Sequence, residues 1–170
     1  LTAVPPAVCD IVSLQTLDLR YNAEIDNFPA EMRQLTNLKQ IHLSTNELTA
    51  VPPAVCDIVS LQTLNLSGNA IAELPPELLR LTGLRELSLL RPRLSAYGIG
   101  HVGCALGSTL VDLSVRGHAS LDPSAVALLC SLCPELRRLR LIECGLALDA
   151  HGAAPLLTLR NLTDLDLGGN

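Results

Sequence analysis

Apolar and polar positions alternate along this chain in one recurring frame, L-x-x-L-x-L-x-x-N. The frame opens at Leu14, Leu38, Leu61, Leu84, Leu110, Leu136 and Leu162, at spacings of 24, 23, 23, 26, 26 and 26 residues. One instance is Leu14-Gln15-Thr16-Leu17-Asp18-Leu19-Arg20-Tyr21-Asn22; another is Leu61-Gln62-Thr63-Leu64-Asn65-Leu66-Ser67-Gly68-Asn69. Leu17 and Leu19 lie two apart, so in an extended strand they point to the same side, and Leu14 begins the turn of chain that closes over them. One such turn cannot bury its leucines alone. Stacked turns bury them against one another and pair the short strands in parallel, about 4.8 Å apart. The pattern predicts seven parallel strands facing one side of a curved solenoid.

The Asn that ends each frame can bond backbone groups left bare at a sharp turn. Asn22, Asn46, Asn69 and Asn170 fill that slot, and Pro92, His118 and Cys144 fill it elsewhere. Proline has no side-chain donor, so this ladder is expected to break near Pro92. Between strands the first half carries a proline-marked return: Val51-Pro52-Pro53-x-Val55-x-x-Ile58-x-x-Leu61, then Leu74-Pro75-Pro76-x-Leu78-x-x-Leu81-x-x-Leu84, with Phe28-Pro29-x-x-Met32-x-x-Leu35-x-x-Leu38 keeping one proline. Those prolines suit the first turn of a short helix or 3₁₀ segment whose apolar residues then face inward.

Taken together, these motifs resemble the leucine-rich-repeat superfamily over essentially the whole chain. The resemblance implies an α/β fold: a right-handed leucine-rich-repeat solenoid in a horseshoe arc. Parallel strands would line the concave face, with short helices, 3₁₀ segments and extended turns on the convex face. The L-P-x-x-L-x-x-L returns look like the intracellular repeats of Ras-pathway scaffolds and polarity proteins. In the second half, Cys133-Pro134-Glu135-Leu136-Arg137-Arg138-Leu139-Arg140-Leu141-Ile142-Glu143-Cys144 is similar to the cysteine-containing repeats of F-box substrate receptors, and this one repeat matches well. The longer second-half turns favour true convex helices, one running from Ser120-x-x-x-Ser124 to Cys133. The expected organisation is a single array over 1–170. It has shorter repeats over 1–83, a glycine-containing junction repeat over 84–109 and longer repeats over 110–170.

Residues 1–19 and 48–66 agree at eighteen of nineteen positions, differing only at Asp18 against Asn65. The sequence leaves recent duplication and deliberate reuse equally open. Leu48 follows Asn46-Glu47, so the copy places Leu1 after a strand and an Asn. Neither end shows a polar cap, and the expectation is an uncapped fragment of a longer array.

Composition narrows the function classes. The 170 residues include 38 leucines but no Trp, two Tyr and one Phe, so the core must be aliphatic. The longest unbroken apolar stretch, Ala125 to Cys130, is far too short to span a bilayer, so no membrane insertion is expected. Net charge is −5, which argues against a nucleic-acid partner. Gly98-Ile99-Gly100-His101-Val102-Gly103 fits the letters of a dinucleotide fingerprint. It follows Pro92 on a convex return, however, and not a strand, so it reads as a structural junction and not a cofactor site. Cys130 and Cys133 lack a second pair at metal spacing, His101 and Cys104 being the only recruits, so no metal is expected. Cys9 and Cys56 are copies of one position that holds Arg33 and Leu79 in other repeats, and so are placed near the surface. Two turns apart, about 10 Å, they are too distant to bond. Six cysteines without a clear pairing point to a reducing, cytoplasmic or intracellular location. The sequons at Asn65 and Asn161 coincide with repeat positions and read as chance.

Binding is expected where packing leaves the residues free, at the variable letters of the frame. These form columns on the concave sheet. One reads Thr16, Gln40, Thr63, Glu86, Asp112, Arg138, Asp164; the next reads Asp18, His42, Asn65, Ser88, Ser114, Arg140, Asp166; the third reads Arg20, Ser44, Ser67, Leu90, Arg116, Ile142, Gly168. Arg91, Arg116, Arg138 and Arg140 gather near Leu90 and Ile142, flanked by Asp112, Asp164 and Asp166. Arginine around an apolar pair suits an interface centre. Tyr21 is the lone aromatic on this face and a candidate anchor; His42 faces outward and reads as solvated. With no nucleophile–base pair in sight, the expected role is a non-catalytic protein–protein interaction or scaffold module within a larger protein. It would bind a protein partner and need no small-molecule substrate. Substrate recognition in a ubiquitin-ligase adaptor and a secreted receptor ectodomain are the alternatives.

Overall fold

The computed structural model describes residues 1–90, 102–118, 121–146 and 153–170. Among them seven strands form one sheet: β1 (Thr16–Asp18), β2 (Gln40–His42), β3 (Thr63–Asn65), β4 (Glu86–Leu90), β5 (Asp112–Arg116), β6 (Arg138–Ile142) and β7 (Asp164–Asp166). Their order in the sheet is their order in the chain, and every neighbouring pair is parallel. Each chain turn therefore adds one strand beside the last, which is the leucine-rich-repeat solenoid that the spacing predicts.

The pairing register follows the sequence columns. Thr16 faces Gln40, which faces Thr63; the line continues through Glu86, Asp112 and Arg138 to Asp164. Along β4 to β6 burial alternates, with Leu87 and Leu89, Leu113 and Val115, and Leu139 and Leu141 buried between half-exposed neighbours, or at Arg116 an exposed one. The period-two alternation places one side of the sheet on the core and the other in solvent.

The core is a single aliphatic cluster running from Val4 to Leu159. Met32 is fully buried, whereas Phe28 only packs against the cluster's edge. The return segments are short. Pro6–Asp10, Ala30–Gln34 and Pro76–Arg80 are 3₁₀ helices, and Pro53–Cys56 is a single α-turn. Prolines stand at their starts, where a missing N–H costs nothing.

The convex helix expected in the second half is present with tighter bounds, and one expectation is corrected. The helix of the second half is Pro123–Leu132, capped by Asp122, whose side chain accepts from the Ser124 amide; the start near Ser120 lies outside the described residues. In the last return the described residues hold a 3₁₀ segment, Ala154–Thr158, with Pro155 inside its first turn, directly after the helical residue Ala153. Cys9 and Cys56 are not near the surface but buried. A thiol is small and apolar enough to turn inward where Arg33 and Leu79 turn out.

Candidate functional site

The strands end in a hydrogen-bonded spine. The Asn46 amide donates to the carbonyls of Leu19 and Leu43, at 3.1 and 3.0 Å, joining its own turn to the one before. Asn69 does the same to Leu43 and Leu66 at 2.8 and 2.9 Å, and its Oδ1 accepts from the Leu48 amide. Asn22 donates to Leu19, and Asn170 to Leu141 and Leu167. Cys144 fills the slot differently. Its thiol donates to the carbonyls of Val115, at 3.6 Å, and Ile142, at 3.4 Å. His118 is buried in its slot, and Pro92 lies outside the described residues.

One position before the slot the backbone turns left-handed. Tyr21, Thr45, Gly68, Gly117, Glu143 and Gly169 all have φ between 53° and 72°. This is what swings the chain out of the sheet, and only the glycines hold it without strain. Tyr21, the proposed aromatic anchor, thus sits on the turn at the edge of the sheet face and is 74 % exposed. Sequence reasoning missed this set because the position carries no fixed residue type; glycine at three of the six places is the signal that could have found it.

On the solvent side of the sheet the structure brings together five of the charged residues singled out above. Arg138 donates from Nε to Asp112 at 2.7 Å and from Nη2 to Glu86 at 3.5 Å. Arg140 donates to Asp112 at 3.2 Å and faces Asp164 at 3.7 Å. The result is a continuous chain, Glu86–Arg138–Asp112–Arg140–Asp164, across β4 to β7. Asp112 is its hinge, with a side chain only 14 % exposed beneath two guanidiniums. Hydrogen bonding to Asp112 raises the Arg138 pKa further, keeping it charged.

The remaining site residues fall around this chain. Leu90 and Ile142 do not touch as neighbours, because Arg116 stands between them in the register. Arg116 in turn pairs at 3.0 Å with Glu143, a turn residue outside the strand columns. Asp166 accepts from the Gly168 amide. His42 is paired in register between Asp18 and Asn65, at the other end of the sheet. There Arg20 grips Asp18 with side-chain and backbone bonds that hold its carboxyl well below the usual range, at about 2. Arg91 and residues 98–101 of the glycine-rich stretch lie outside the described residues.

Both sequon asparagines are used within the fold. Asn65 accepts from the Ser67 amide on the sheet, and Asn161 donates to Pro134 O, as Asn37 does to Val12 O. The six cysteines are free thiols. Among the described residues no group of three or more His, Cys, Asp or Glu could hold a metal ion, and no helix is long and apolar enough to cross a membrane.

Residues 12–71 match the leucine rich repeat family. None of the curated proteins matches the sequence. Solved structures share the fold. A leucine-rich-repeat protein of Leptospira interrogans aligns with 100 % of the chain and 53 % of its own length, at 23 % identity and a TM-score of 0.53. An internalin from Listeria monocytogenes aligns with 99 % of the chain and 45 % of its own, at 21 % identity and a TM-score of 0.63. A plant peptide hormone receptor, RGFR1, solved in complex with RGF2, aligns with 98 % of the chain and 26 % of its own, at 22 % identity and a TM-score of 0.54. The chain spans about half the length of the first two.

Proposed function

We propose that this leucine-rich-repeat solenoid is a non-catalytic protein–protein interaction module that binds a protein partner through the late half of its sheet face. The observation that carries the reading is the ion-pair chain from Glu86 to Asp164. The outer pairs, to Glu86 and Asp164, are solvent-exposed and contribute only about 0–1 kcal/mol each to stability. What the ion-pair chain supplies is a rigid arrangement of both signs of charge, with Leu90 and Ile142 half-exposed beside it. Ordered charges favour a complementary surface and penalise a wrong one.

The module acts without cofactor, nucleic acid or small-molecule substrate, as part of a larger protein. The free thiols support an intracellular setting. A specific observation also favours the adaptor-like reading of the second half: Cys144 takes over the ladder slot with its own hydrogen bonds, as a cysteine-containing repeat requires.

The test compares Arg138→Glu/Arg140→Glu with the wild type as baits in native extract. Proteins retained by the wild type and lost from the variant, with circular dichroism unchanged, support the site. An identical set of captured proteins refutes it.

A further inference from the structure

We propose that the rim of the sheet ahead of β4 to β6 is an oxyanion site that takes the phosphate of a phosphorylated side chain on a protein partner. It lies one residue before the strands, next to Glu86, Asp112 and Arg138 but on residues outside the ion-pair chain, and does not rest on that reading.

The rim row is fixed by the backbone ladder. The Val111 amide donates to Arg85 O at 2.8 Å, and the Arg137 amide to Val111 O at 2.9 Å. These three residues are stacked neighbours on successive turns. Below them the Arg85 amide donates to Gln62 O, and the Gln62 amide to Lys39 O, both at 2.8 Å. Cations at Lys39, Arg85 and Arg137 therefore alternate with uncharged Gln62 and Val111, and the row from Lys39 to Arg137 holds no carboxylate. The chain as a whole carries −5, so this gathering of cations is not a general excess.

Arg85 and Arg137 differ from the arginines of the sheet face. Arg20, Arg116, Arg138 and Arg140 all hold carboxylates. Among the described residues Arg85 and Arg137 make no ion pair, yet both line one open groove of about 560 Å³. Thr82 and Ser108 line it too, with hydroxyls that make no hydrogen bond to the described residues, whereas the Thr109 hydroxyl is already donated to Leu106 O. The groove thus offers two guanidinium forks and two hydroxyls, all able to donate.

Donor count selects the ligand. Two turns apart, the arginine backbones are about 10 Å from each other, which charge-assisted bonds of about 2.8 Å from either side can close onto one tetrahedral anion. A carboxylate has two oxygens and one charge; a phosphate monoester has three terminal oxygens and a charge of about −1.5 to −2. A carboxylate can bridge two guanidiniums, as Asp112 does, but it then leaves the two hydroxyls without an acceptor and brings half the charge; the third oxygen and second charge of the phosphate suit the full donor set. The groove is open, which leaves room for the chain that carries the phosphate. Glu135 is the one carboxylate in the lining, and its charge opposes the ligand.

The experiment follows the arginine Nε–H signals of the ¹⁵N-labelled chain by NMR. The titrant is the peptide Gly-Ala-phosphoserine-Ala-Gly, with its unphosphorylated form and inorganic phosphate as separate arms. The expected result is saturable movement of the Arg85 and Arg137 signals with the phosphopeptide only. Affinity should fall by about tenfold or more in Arg85→Ala and in Arg137→Ala. It should rise a few-fold in Glu135→Gln and stay unchanged in Arg33→Ala, on an exposed return segment. Three outcomes overturn the proposal: no saturation, equal binding of the serine peptide, or wild-type affinity in both alanine variants. Inorganic phosphate binding as tightly as the phosphopeptide overturns the partner-borne source.

Discussion

Ile11 and Ile58 occupy the same place in two stretches of nearly identical sequence, yet Ile11 is 49 % exposed and Ile58 is 1 % exposed. The difference is the preceding turn. Residues 25–43 pack Ile25, Met32, Leu35, Ile41 and Leu43 into the core ahead of the second copy, while β1 pairs only with β2. Burial at Ile58 is therefore a property of stacking and not of local sequence. Ile58→Ala should cost about 3–4 kcal/mol, through lost transfer energy and the cavity left behind. Ile11→Ala should cost less than about 1 kcal/mol, since its surroundings are already half water. Chemical denaturation of the two variants makes the comparison, and equal losses would show that the turns do not stack as described.

The asparagine spine predicts a second contrast. Asn46 is buried and satisfies the carbonyls of Leu19 and Leu43 together with the Asn22 amide. Asn46→Ala strands these groups away from water and should cost about 2–4 kcal/mol. Asn37 makes one exposed bond, to Val12 O at 2.9 Å, so Asn37→Ala should cost under about 1 kcal/mol. Urea midpoints at constant slope measure both, and a silent Asn46→Ala would remove the spine's structural role.

The left-handed turn position supplies substitutions of opposite sign. Thr45 is β-branched at φ 58°, a conformation such residues rarely hold, so Thr45→Gly should stabilise by about 1 kcal/mol. Gly68 stands at φ 70°, and a Cβ there would lie 3.2 Å from the Thr45 backbone nitrogen. Gly68→Ala should then destabilise by about 1–2 kcal/mol. Thermal melting of the two variants should move in opposite directions; movement in the same direction would contradict the turn geometry.

Much of this architecture was legible because one constraint writes both sequence and register. The leucines that must stack also fix which residues stand side by side, so the column from Thr16 to Asp164 read from spacing is the column of paired strands. Helix type was not legible. Pro6–Asp10 is 3₁₀ and its copy at Pro53–Cys56 is an α-turn, so identical residues take the form their neighbouring turns allow. The charges of the sheet face were legible, but only part of their pairing was. Arg138 reaches Asp112 straight across the register, whereas Arg140 reaches diagonally to Asp112 and Asp164, and Arg116 finds Glu143 on a turn. Long side chains choose among several partners within reach, a choice strand register does not make.

Thiol chemistry should separate the cysteines by burial. Cys104 is exposed, whereas Cys56, Cys130 and Cys133 are buried. Burial raises the Cys56 and Cys130 thiols to about 11 and the Cys133 thiol to about 12, from an ordinary 9.0. At pH 8 a disulfide reagent should label Cys104 rapidly and the buried three only on unfolding, because the thiolate is the attacking form. The same shifts set a pH window. Below about pH 8 these thiols are largely neutral in both states and contribute little pH dependence. From about pH 8 up to about 11–12 the unfolded chain releases protons that the folded chain retains, so stability should fall as pH rises. Cys130→Ala/Cys133→Ala removes two of these groups and should flatten that alkaline decline, read from urea midpoints at successive pH values. An equally steep decline in the variant would assign the alkaline loss to other groups.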